Sequence, residues 1–319
     1  MGIKHTRLTR RGLGQGLAGA LAMSALPVGA TALDTRPPRP DAEVLGNGSD
    51  SLGRSSALVW INDQGPFVFA IDTAASGSVI AADLAQRLDL EPGPMVGVHT
   101  LAGYEMASSV RAARIHSGAL NLNHTRLVIG QRAGLLGADG LIGTDLLSDL
   151  RITLSFRGGS RATIGQPRLD NASFFQGPPP TLRFADPTGP ESEDLLILKG
   201  SAYGRDILAI IDTGAEVSIV NPAFASVARA ERATFRDGTS TRRIHTPIGA
   251  IVDAQAILLP ELSINGGRVR RLPVLMGDFH TFRRLGLGET PAMLMGIDVL
   301  RLYSRVIIDL RRRQIAFDW

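Results

Sequence analysis

Phe67-Val-Phe-Ala-Ile71-Asp72-Thr73-Ala74 and Ile207-Leu-Ala-Ile-Ile211-Asp212-Thr213-Gly214 are two copies of one pattern. In each, an apolar run of strand length carries an aspartate out at its end. Six residues on comes a serine, Ser78 or Ser218, followed by two β-branched residues, Val79-Ile80 or Ile219-Val220. Farther down each half an apolar pair precedes Gly-x-Asp: Leu141-Ile142-Gly143-Thr144-Asp145 and Leu294-Met295-Gly296-Ile297-Asp298. A single Asp-Thr at a strand end is a common turn. The same two motifs in the same order twice over indicate an internal duplication. Two carboxylates on matching strand ends also supply what a symmetric acid/base pair requires, one group holding a proton while the other does not.

The rest of the chain reads as β-structure around these motifs. Ala57-Leu-Val-Trp-Ile61 and Phe67–Ile71 flank a turn at Asn62-Asp-Gln-Gly-Pro66, and Leu195–Leu198 and Ile207–Ile211 flank one at Gly200-Ser-Ala-Tyr-Gly204. Both predict hairpins. Ala81–Leu88 has helical spacing, and Asn221-Pro222 is a helix start followed by Ala223–Ala230. Arg305–Asp309 and Gln314–Phe317 read as paired terminal strands. The apolar period is mostly two, so the class is all-β with short helices. The domain reading is an export signal over 1–32, an irregular segment over 33–54, lobe one over 55–165, a Pro-rich linker over 166–193 containing Pro178-Pro179-Pro180, and lobe two over 194–319.

Bulk properties narrow the function. The 319 residues suffice for two domains, and 44% hydrophobic residues give each a core. Cysteine is absent, which removes disulfides, thiolate metal sites and cysteine nucleophiles. The net charge is +4. The first 32 residues hold Lys4, Arg7, Arg10 and Arg11 and no acid, so the remainder is formally neutral and no nucleic-acid partner is expected. Arg242-Arg243, Arg270-Arg271 and Arg311-Arg312-Arg313 are read as solvated strand ends. The six histidines show no metal-ligand spacing, and neither metal nor cofactor is expected.

The N-terminus reads as a leader. A basic start precedes the weakly apolar stretch Gly12–Val28, and Ala30-Thr31-Ala32 fits a small-x-small cleavage site, placing the mature start near Leu33. Thr9-Arg10-Arg11-Gly12-Leu13 resembles a twin-arginine signal, departing from the fuller pattern at Gly14 and Gln15, so a Sec signal stays open. The product is expected to be periplasmic or secreted, with no lasting membrane anchor.

Taken together, the doubled motifs resemble the aspartic proteases, most closely the retropepsin type with two lobes fused in one chain. The resemblance covers roughly residues 55–165 and 194–319. It implies two pseudo-symmetric pepsin/retropepsin-like lobes and an aspartic endopeptidase, a hydrolase acting on a peptide or protein in the interlobe cleft, with Asp72 and Asp212 catalytic. It also implies that Thr73 and Thr213 tie the two loops together, that Gly214 serves a tight loop where lobe one carries Ala74, and that Gly-containing hairpins act as flaps. Flap candidates are Gly103 with Tyr104, the latter able to hydrogen-bond near the dyad, and Gly249. The arginine that retropepsins often place between Gly and Asp is replaced here by Thr144 and Ile297, and its acid partner by Ser76 and Glu216. The residues read Asp145 and Asp298 as helix N-caps. A monomer is expected. A catalytically silent protease fold that binds peptides is the alternative. An Asp-pair glycosidase fits poorly with 5% aromatic residues.

Overall fold

A computed structural model describes residues 6–7, 55–157, 161–167 and 195–318. The leader (Thr6-Arg7 apart), residues 33–54 and all of the linker except Gln166 and Pro167 lie outside the described residues.

Each lobe begins with a hairpin closed by a two-residue turn. Ser56–Ile61 pairs with Gln64–Ile71 through Asn62 and Asp63, both at positive φ. Ile197–Ala202 pairs with Arg205–Ile211 through Tyr203 and Gly204, again both at positive φ. These turns are tighter than the sequence suggested, so Gln64–Pro66 and Gly200–Ala202 belong to strands. Two consecutive positive-φ residues match the right-handed twist of the paired strands, and Asn, Asp and Gly tolerate that conformation.

From its hairpin each lobe closes into a ring by the same route. In lobe one, Gly140–Ile142 runs parallel to Gln64–Ile71 and antiparallel to Val79–Ala81. Val79–Ala81 runs parallel to Leu120–Gly130, which pairs antiparallel with Ser109–Ser117, and that strand returns to Ser56–Ile61. In lobe two the corresponding strands are Ala292–Met295, Ile219–Val220, Gly267–Met276 and Ile251–Ile264, the last returning to Ile197–Ala202. The succession of parallel and antiparallel pairings is identical. The all-β, two-lobed architecture with short helices is therefore what the duplicated motifs led us to expect.

Short helices cap the rings. Ala82–Arg87 follows Val79–Ala81, and Pro222–Val227 follows Ile219–Val220. Asn221 caps the second: its side-chain oxygen accepts from the Phe224 N–H at 2.8 Å, and Pro222 sits in the first turn, where no N–H is needed. The Asn221 amide also donates to the carbonyls of Leu287 and Thr290, both at 2.7 Å, which pins the chain ahead of Ala292–Met295.

A four-stranded sheet joins the lobes. Arg151–Ser155 of lobe one pairs with Arg305–Asp309 of lobe two, Thr153 opposite Ile307, with Arg161–Gly165 and Gln314–Asp318 on the outside. Ile152, Leu154, Val306 and Ile308 are fully buried in one core shared by both lobes. Burying each is worth roughly 1.5–3 kcal/mol, so the lobes are welded at this sheet rather than hinged on a linker. The arginine runs engage neighbours: Arg242 lies 3.6 Å over the Phe235 ring, and Arg312 pairs with Asp309 at 2.7 Å. Among the described residues no helix is long and apolar enough to cross a membrane.

Candidate active site

The hairpin strands deliver Asp72 and Asp212 to the junction of the lobes. The Asp72 N–H donates to the Ile142 carbonyl at 2.9 Å and the Asp212 N–H to Met295 at 3.0 Å, so each parallel neighbour holds the strand end. Each loop then folds back on its own carboxylate. Asp72 Oδ1 accepts from the N–H groups of Ala74 and Ala75, at 2.9 and 3.0 Å. Asp212 Oδ1 accepts from Gly214 and Ala215, at 3.0 and 2.9 Å. Two backbone donors on one oxygen set the plane of each carboxylate.

The two loops are bound to each other by Thr73 and Thr213, both fully buried. The Thr73 hydroxyl donates to the Ile211 carbonyl at 2.8 Å and accepts from the Thr213 N–H at 3.3 Å. The Thr213 hydroxyl donates to Ile71 at 2.7 Å and accepts from the Thr73 N–H at 3.2 Å. A hydroxyl is needed because each must donate and accept at once.

Gly214 lets the Asp72 carboxyl approach the loop that carries Asp212. Its N–H holds Asp212, and its Cα faces the Asp72 carboxyl so closely that a side chain there would overlap it. Lobe one tolerates Ala74 at the matching position. The two aspartates are not equally covered: Asp212 is 8% exposed, whereas Asp72 is partly exposed.

Around the pair stands a second duplicated network. Ser78 donates through Oγ to Asp145 Oδ1 at 2.7 Å and through N–H to Oδ2 at 3.1 Å, while Oγ accepts from Gly143 at 2.9 Å. Ser218 makes the same contacts to Asp298, at 2.6 and 2.9 Å, and accepts from Gly296 at 3.0 Å. The N-cap reading of these aspartates is thus corrected. Gly143 and Gly296 are the N-caps of Thr144–Leu147 and Ile297–Leu300, and the aspartates turn back to bolt the Asp loop to the Gly-x-Asp segment. A short polar side chain in a first helical turn reaches whichever donor lies closest, and here that is the serine. Burial pushes both carboxyls above their ordinary 3.8, against the pull of these bonds. A carboxyl raised this way adds stability that is complete below 3.8 and is lost as pH rises through the folded-state value. The repeat of Ser78 and Ser218 in the cassette was the signal for this network, but sequence could not say what the serines touch.

Each lobe also sends one hairpin to the other. Val96–His99 pairs with Tyr104–Ala107, and the Leu101 carbonyl at its tip accepts from the His280 N–H of lobe two at 3.0 Å. Thr241–His245 pairs with the start of Ile251–Ile264, and the Pro247 carbonyl at its tip accepts from the Gln131 N–H of lobe one at 2.8 Å. Gly249 has φ +105°, which favours glycine. Gly103 shows no such φ, and a Cβ there would meet open space. Tyr104 is exposed: its hydroxyl donates to Met106 Sδ at 3.4 Å and its ring rests on His99. Its hydroxyl thus bonds within its own hairpin.

Residues 57–149 match a family model described as "gag-polyprotein putative aspartyl protease", and residues 198–299 match one described as "Aspartyl protease". The chain carries two aspartyl-protease domains in tandem. No curated protein matches it. Both matched segments run from the first hairpin of an aspartyl-protease domain to its Gly-x-Asp helix, so each spans one full copy of the motifs. Among the described residues of the two aspartyl-protease domains, no cluster of three or more His, Asp or Glu side chains is placed to hold a metal ion.

Proposed function

We propose that this chain is an exported aspartic endopeptidase in which Asp72 and Asp212 act as one acid/base unit on a water molecule. The observation that carries the reading is the reciprocal Thr73–Thr213 exchange, which sets two Asp loops face to face, each with Oδ1 held by two backbone donors. Two carboxylates brought together share a proton, because ionising both in one site is costly. The ionised member removes a proton from water as its oxygen attacks the scissile carbonyl carbon, and the protonated member donates to the carbonyl oxygen. Collapse of the tetrahedral centre breaks the C–N bond; the leaving nitrogen takes a proton from the protonated carboxyl while a hydroxyl of the centre gives one back to its ionised partner, restoring the pair. The substrate is an extended peptide between the lobes, beneath hairpins whose backbone edges offer strand-like hydrogen bonds.

The purified mature protein should cleave an unfolded protein substrate best in acid and lose activity as both carboxyls ionise. A chelator should leave the rate unchanged, and a statine-type peptide, whose hydroxyl mimics the attacked centre, should lower it. Peptide binding without cleavage at any pH would instead establish the silent binding module.

Export rests on the leader. Replacing Arg10 and Arg11 by Lys should retain the chain in the cytoplasm, measured by fractionation. Unchanged export would leave the Sec route. A monomer suffices for this function, since one chain supplies both aspartates.

A further inference from the structure

The tips of the two crossing hairpins share a pattern, His99-Thr100-Leu-Ala-Gly103 and His245-Thr246-Pro-Ile-Gly249. Both tips dock through the carbonyl after the threonine, but they meet different surfaces. At the second tip, the backbone of Gly134 packs so tightly on the Thr246 carbonyl that a Cβ would overlap it, and His245 is exposed. At the first tip, Leu101 packs against the lobe-two core that includes Phe279 and Phe282, and the Thr281 hydroxyl donates to the Thr100 carbonyl at 3.3 Å. There the histidine meets another histidine: His99 Nδ1 and His280 Nε2 are 2.9 Å apart, with the rings parallel within 5°.

We propose that His99 and His280 form a proton-operated latch that holds the first hairpin on lobe two at neutral pH and releases it in acid, while the second hairpin stays docked. The functional meaning rests on the reading that these hairpins cover a substrate cleft. The latch itself rests on the geometry.

One imidazole must donate and the other must accept. Two neutral rings satisfy this, and so does one neutral ring with one charged. Two charged rings present donor to donor, with like charges 2.9 Å apart. His280 is already pulled below its ordinary 6.5, first by burial and then by the charges of Arg283 and Arg284. Arg283 and Arg284 stand on the same helix as His280 and stay beside it whether or not the hairpin is docked, so what docking itself changes is the second proton, which the paired rings resist and the separated rings do not. Docking therefore holds while at least one ring is neutral and weakens as pH falls far enough below 6.5 to charge both. Tyr104 presents a ring to His99 at 4.8 Å, Asp278 is paired with Arg283 at 2.7 Å, and Glu105 alternates to the opposite face of the hairpin. Acid would thus open one side of the cleft in the same direction of pH that keeps one aspartate protonated.

Amide hydrogen exchange of the whole protein, corrected for intrinsic rates, tests the latch. Segments 99–104 and 279–283 should lose roughly tenfold in protection between about pH 7.5 and about pH 5, while segment 246–250 keeps its protection. His280→Gln should abolish the pH step, because a side-chain amide oxygen still accepts from a protonated His99. Constant protection of the first tip in the wild-type protein, or the same acid loss in His280→Gln, would overturn the proposal. Hydrolysis plays no part in this readout, so a protein that latches but does not cleave supports the latch and counts against the catalytic reading alone.

Discussion

Asp72→Asn and Asp212→Asn are each expected to lower kcat/KM for peptide hydrolysis by roughly 10⁴-fold or more, and the double variant should be little worse than either single one. Asparagine keeps the carbonyl oxygen that accepts from the two backbone N–H groups of its loop, at 2.9–3.0 Å in the wild-type protein, so each loop retains its shape. On the proposed mechanism, what is lost is the shared proton. An amide is neither a base for water nor an acid for the carbonyl oxygen. Non-additivity is expected if the two groups act as one unit, as proposed. Thermal unfolding measured beside the kinetics separates chemistry from folding, and a Tm near wild type is expected. Full activity in Asp72→Asn would remove the dyad.

Thr73→Val should destabilise the protein by about 2–5 kcal/mol, and Thr213→Val by a similar amount, measured by urea unfolding. Valine matches threonine in shape, so packing is kept. The change strands the Ile211 carbonyl and the Thr213 N–H in one case, and the Ile71 carbonyl and the Thr73 N–H in the other. All lie at a buried seam where water cannot replace the lost partner, and each orphaned group costs about 1–3 kcal/mol. Activity should fall as well, because these bonds set the position of one Asp loop against the other. Thr73→Ser keeps the hydroxyl and should stay within about 1 kcal/mol of wild type, which tells hydrogen bonding from packing. If Thr73→Val unfolds at the wild-type urea concentration, the seam is not held by these hydroxyls.

Sequence alone determined what repeats and what is local. Alternating apolar runs that end in Asp-Thr specify strand, loop and carboxylate within one stretch of chain, and Asn221-Pro222 specifies a helix start, so the all-β class, the duplication and the candidate dyad were legible. Local signals failed where a side chain had a choice of partner. Asp145 and Asp298 have the residue type and position of N-caps, yet they bond Ser78 and Ser218, which tertiary folding carries to them from more than sixty residues away. The tertiary structure alone decided how the lobes meet. Nothing in Arg151–Ser155 or Arg305–Asp309 names the other strand. Their pairing follows from burying Ile152, Leu154, Val306 and Ile308 in a common core, and burial is a property of the whole assembly rather than of a segment. The same holds for the crossing hairpins. Their turns can be read from residue type, but a tip that docks on the opposite lobe, with His99 against His280, exists only once that central sheet has set the two lobes face to face.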